Sequence, residues 1–150
     1  MAHIRTRIRD AIVARLAADG AFALVAGYGR TARPLQSDDF PAAFVRITEV
    51  ASPAFKSGHI LRRSLSVAID ILESSDVDDL DTRLDDLAVR VEAVLADGAS
   101  LGVGPLLEWD YAGTTPGTVD LGEQIYGSAT VNFSCSVSTE RGKPSANAHQ

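Results

Sequence analysis

The side chains in this 150-residue chain that could do chemistry are three histidines, one cysteine and a run of carboxylates. The carboxylate run is Asp70, Glu73, Asp76, Asp78, Asp79 and Asp81. Hard cations take several carboxylate oxygens, so a calcium loop is the chemistry such a run could support. It lacks the glycine of the sharp turn and the closing glutamate, and it leads directly into a helical pattern whose start favours acids. A solvated helix start is the reading it supports. His3, His59 and His149 have no His, Cys or carboxylate at ligand spacing, which suggests neither a zinc site nor a catalytic triad. Glu108 and Asp110 alternate outward from a short strand pattern and could form an acid–base pair, but same-face acids on an exposed strand are commonly only solubilising. Gly27-Tyr28-Gly29-Arg30 could cradle a phosphate, yet no lysine or helix start follows in the manner of a nucleotide loop. The residues therefore predict no catalytic group, no metal and no cofactor.

Composition points the same way. A hydrophobic content of 45%, a charged content of 23% and a net charge of −6 describe a folded globular chain with no general affinity for nucleic acid. Cys135 cannot form an internal disulfide and falls in register with an apolar strand face, as a small buried hydrophobe does. Arg5, Arg7, Arg9 and Asp10 interrupt any apolar leader core, and no run approaches the roughly 20 apolar residues a membrane helix needs. The expectation is one cytoplasmically made domain over residues 1–140, with residues 141–150 a polar, mobile tail.

The elements that would position these groups follow from periodicity. Ile8, Ile12, Val13 and Leu16 recur at helical spacing over Ile4 to Ala18, with Gly20 as the stop. Phe22 to Val25 is apolar but too brief to assign. Ala42 to Val50 reads as a strand, and Leu61 to Leu72 alternates cleanly, so the two predict an antiparallel hairpin across Ala51 to His59. Ser74, Ser75 and Asp76 offer caps for a second helix carrying Leu80, Leu84, Leu87, Val91 and Leu95. Leu106 to Tyr111 reads as a third strand. Ala112 to Gln124 either extends the flanking strands or projects as a loop. Ile125 to Thr139 is the longest strand pattern. The expected fold is a two-layer α+β domain, α-β-β-α-β-β, with a four-stranded, mainly antiparallel sheet and both helices on one face.

In the last strand Gly127, Ala129, Val131, Phe133, Cys135 and Val137 share one side, and Ser128, Thr130, Asn132, Ser134, Ser136 and Ser138 share the other. Hydroxyls and an amide in place of lysine and glutamate make that face cheap to desolvate, and long uncharged strands are prone to pair with another chain. Ser128, Thr130, Asn132 and Ser134 are therefore candidate subunit contacts. Arg30 and Arg33, in the glycine-containing loop, and Lys56, in the hairpin loop, are candidate partner contacts.

The element order, the length, and the stretches Ile4 to Leu16, Phe44-Val45-Arg46-Ile47, Arg63 to Ile71, the Leu-rich second helix and Ala129 to Val137 resemble the tail terminator proteins of long-tailed phages, the minor tail protein U family. The resemblance covers roughly residues 1 to 140. It implies a non-enzymatic virion protein, assembled in the host cytoplasm. Such a subunit joins a hexameric ring that caps the tail tube, stops its polymerisation and offers the surface that joins the head through a neck connector. DNA would pass through the lumen without specific binding. Another neck or head-completion protein, or a small cellular α+β ligand-binding domain or enzyme, would fit the same residue pattern.

Overall fold

The computed structural model describes residues 3–27, 35–49, 54–57, 60–103, 108–121, 124–140 and 142–147. Helix α1 spans Ile4–Asp19; its Ile4, Ile8, Ile12 and Leu16, four residues apart, are buried to 1% exposure or less. His3 caps it, Nδ1 accepting the Arg5 backbone N–H at 3.1 Å. Gly20 ends it with φ +81°, a left-handed conformation that glycine adopts without a Cβ penalty.

The chain is α+β, with these two helices and one mostly antiparallel sheet: α1, β1 (Leu24–Gly27), β2 (Ala42–Glu49), β3 (Ala54–Ser57), β4 (Ile60–Ser74), α2 (Leu80–Val94), β5 (Glu108–Leu121), β6 (Gln124–Glu140) and β7 (Lys143–Asn147). Among the described residues the sheet has seven strands where four were expected. Its main path runs β1-β2-β4-β6-β5; β3 extends the β2 side of β4, and β7 pairs with the end of β6. The additional strands are those whose side chains carry little pattern. β1 is only four residues long and pairs parallel to β2, Leu24 opposite Ala42. β3 lies within the expected hairpin loop, and β7 within the expected mobile tail, where its backbone pairs with Thr139 and Glu140. Ala112 to Gln124 is resolved in favour of strand extension: β5 continues through a bulge between Tyr111 and Gly113 to Leu121. Gly113 has φ +109°, which only glycine tolerates well. The second helix starts later than its expected caps, with Asp79 at the N-cap in a left-handed conformation and no side-chain cap bond.

β4 and β6 pair along their whole length, from Ile60 opposite Glu140 to Ser74 opposite Tyr126. Register fixes the faces. Leu65, Val67, Ile69 and Ile71 of β4 lie beside Cys135, Phe133, Val131 and Ala129 of β6, and they form one core cluster with Ala43 and Val45 of β2 and the buried residues of both helices. Each fully buried Leu, Ile or Val contributes about 1.5–3 kcal/mol of apolar transfer free energy. Trp109 closes this core at the β5 end: it stacks on Phe133 with centroids 5.0 Å apart, and its Nε1 donates to the Leu95 carbonyl at 2.7 Å. A smaller apolar cluster of Ala42, Phe44 and Leu72 lies on the opposite face under Leu35 and Phe40. The Phe40 ring stacks on Tyr126 at 4.8 Å. Among the described residues no helix is long and apolar enough to cross a membrane.

Candidate functional site

The hydroxyl face of β6 is one stripe of a wider polar field. Ser134 lies beside Ser66 and Asp110, Asn132 beside Ala68 and Gly113, and Thr130 beside Asp70 and Thr115. On the far side of β4, Thr48, Arg46 and Phe44 continue those rows. Much of this field is satisfied internally. Thr130 Oγ1 donates to Asp70 Oδ1 at 2.7 Å, and the Arg46 guanidinium lies 3.7 Å from the other Asp70 oxygen. Asn132 Nδ2 donates to the Gly113 and Thr130 carbonyls. Arg62 pairs with Glu108 beside Ser136. Ser134 is exposed, Ser128 is half-buried, and Ser136 and Ser138 are buried within the chain itself. Among the described residues the Ser138 hydroxyl has no hydrogen-bond partner.

Of the candidate partner contacts, Arg30 and Arg33 lie outside the described residues. Lys56 falls in β3, and its side chain is likewise outside them. His59 and His149 are outside as well. The carboxylate run does not converge, because strand alternation splits it. Asp70 points to the polar face with Thr130, whereas Glu73 is buried under α2, where Arg83 Nε donates to it at 3.2 Å and the Ser74 N–H at 2.9 Å. Among the described residues no group of three or more His, Cys, Asp or Glu could hold a metal ion. Burial pushes the Cys135 thiol up to about 12, far from a thiolate at neutral pH.

The two ends of the sheet differ most in charge. α1 lies over β1 and β2, and α2 over β6 and β4. α1 carries Arg5, Arg7, Arg9 and Arg15 against Asp10 and Asp19; α2 carries Asp81, Asp85, Asp86 and Glu92 against Arg83 and Arg90. The minority charges are turned to internal use. Arg83 serves buried Glu73, and Arg90 Nε donates to Asp19 Oδ2 at 2.7 Å, which ties the helices together. The outward charge of α2 is thereby left acidic.

At the first end, Arg5, Thr6 and Arg9 of α1 line a groove with Val45, Arg46 and Ile47 of β2. Arg46 projects from one face of β2 and its neighbours from the other, so the groove wraps the strand's edge. β1 pairs only with residues 42–45, which leaves that edge without a described strand partner from Arg46 to Glu49. Glu49, Asp10 and Asp70 temper this end, but Arg5, Arg7, Arg9, Arg46 and Arg63 outnumber them. At the other end, Asp81, Leu84 and Asp85 of α2 line a groove with Thr114 and Pro116 of β5 and Ala129 of β6. Glu108 and Asp110 on β5 are exposed. In the sequence, Asp81 reads as part of a solvated helix start. The opposed net charge of the two helices was the available signal for these edges. Compared with known proteins, the chain matches no family model and no curated protein.

Proposed function

We propose that this chain is a structural subunit that works by assembly, a ring-forming terminator that caps a phage tail tube, ends its polymerisation and presents the surface on which the head is joined. The observation that carries this reading is β5. It is a 14-residue strand at the end of the sheet with no described partner on its outer side. At ~3.4 Å per residue it offers ~45 Å of backbone donors and acceptors to another chain. The α+β order of elements and the long strand from Gln124 to Glu140 support the same reading. Tube and neck connector would be met by surfaces other than the ring contacts, and the overall negative charge would let DNA pass a lumen without sticking. Deleting the gene from the genome that carries it and imaging the particles by negative stain tests the proposal. Overlong or headless tails are expected, and tails of normal length joined to filled heads would refute it.

A further inference from the structure

We infer that copies of this chain associate head to tail, the acidic edge formed by α2 and β5 of one copy meeting the arginine-lined edge formed by α1 and β2 of the next. This rests on the subunit reading above and specifies its contact. The occupant follows from charge. Two β5 edges brought together would face Asp81 and Asp85 with their own copies, and two α1 edges would oppose Arg5, Arg9 and Arg46 in the same way. Like charges across an interface cost several kcal/mol and are what excludes wrong registers. Only unlike edges are complementary.

Geometry agrees. β5 terminates one end of the strand path β1-β2-β4-β6-β5, and β1, with β2 and α1 beside it, the other, so each copy uses both edges once and the contact repeats. A heterologous contact of this kind generates a ring when its rotation closes. The hydroxyl row of β6, from which Thr130 donates to Asp70 and Ser136 to Glu108, then remains outside the contact.

The test uses the full chain and two charge-reversed variants, Asp81→Lys with Asp85→Lys, and Arg5→Glu with Arg9→Glu. Circular dichroism melts establish that each is folded, and sedimentation measures mass against concentration. Wild-type chains are expected to assemble in ~0.1 M salt and to dissociate toward 1 M, as the screening length falls from ~10 Å to ~3 Å. Each variant alone should associate at least ~10-fold more weakly. An equimolar mixture should regain assembly, with the two variants alternating in each particle.

Three results overturn the interface: assembly unchanged in both variants, assembly lost in only one of them, or folded variants that fail to reassemble on mixing. Assembly lost in Ser134→Lys but kept in both reversals would place the contact on the polar face and overturn it as well. A chain monomeric at ~1 mM, where even a contact of about −4 kcal/mol is half populated, overturns the interface and leaves the ring reading to the tail phenotype. Conversely, mixed-variant rescue together with normal tails in the deletion keeps the interface and removes the terminator reading.

Discussion

Gly127 is the position at which a single methyl group should do the most informative damage. It lies on the helix side of β6, and a Cβ there would stand 2.6 Å from Leu80 Cδ2, 2.8 Å from Cγ and 3.0 Å from Cδ1. Contact with Cγ as well as both methyls means that no rotation about the last bond of Leu80 clears it. The first residue of α2 must move off the sheet. Overpacking of this kind costs about 1–3 kcal/mol, and the lower entropy of alanine in the unfolded chain offsets about 0.4–1 of it. Gly127→Ala is therefore expected to lose about 1–2 kcal/mol, a fall of ~2–4 °C in melting temperature per kcal/mol at this chain length. In a Leu80→Ala background the clashing atoms are gone, and the same substitution should become neutral or slightly stabilising. The interaction energy of the cycle should reach about 1–3 kcal/mol. Urea unfolding read by fluorescence is convenient, because Trp109 is the only tryptophan and is packed on Phe133. Equal losses from Gly127→Ala in both backgrounds would refute the close approach of α2 to β6.

Four further outcomes are expected. Cys135, at 2% exposure and with its thiol pushed up to about 12, should react with a thiol reagent only at the rate of opening; rapid labelling of the native chain would show the β6 core face to be accessible. Burial and the Arg5 and Arg63 charges hold His3 below its ordinary value, and its Nδ1 must be unprotonated to cap α1, so the contribution of His3 to stability should be complete above about pH 6.5 and fall as the unfolded chain takes up a proton below it. His3→Asn, which keeps a capping acceptor, should remove that part of the pH dependence in denaturant titrations at pH 5 and 8 (about one unit or more on either side of the ordinary value), and an unchanged dependence would assign it elsewhere. Arg83→Met strands the Glu73 carboxylate with the Ser74 N–H alone and should cost about 1–3 kcal/mol, with Glu73→Gln added to it recovering a large part by thermal melt. Ser138→Ala removes a buried hydroxyl that has no partner among the described residues and should raise stability by up to about 1 kcal/mol; a loss above that size would reveal a bond to it.

What could be read ahead of the structure follows from which elements announce themselves through side chains. Ile4, Ile8, Ile12 and Leu16 specify α1 by spacing alone, and the alternation of β4 and β6 specifies both faces of the sheet centre. β1, β3 and β7 are held by backbone pairing to a neighbour already in place, so their four or five residues need no pattern of their own. β5 was half legible: Trp109 and Tyr111 mark its start, while Gly113, Pro116 and Gly117 read as loop chemistry although an edge strand tolerates all three. The candidate contacts divide similarly. That Ser128 to Ser138 share a face was plain from period two, but that Thr130 serves Asp70 and Asn132 serves a bulge carbonyl depends on which strands flank β6. The opposed charges of the two helices were readable, but their placement at opposite ends of the sheet was not, since strand order decides which helix lies at which end.

The full-length pairing of β4 with β6 has a consequence for how the chain acquires its structure. Ile60 meets Glu140 and Ser74 meets Tyr126, so the middle of the sheet joins segments between which α2 and β5 must first be threaded. Such non-local pairings carry a large loop-closure entropy before any contact rewards it, and they slow folding. During synthesis β4 would wait, with its apolar face sheltered only by α1 and α2, until β6 has left the ribosome. A nascent or truncated chain that ends before β6 therefore lacks the strand on which β5 pairs. The β5 end of the sheet forms only once β6 is in place, a kinetic checkpoint built from topology.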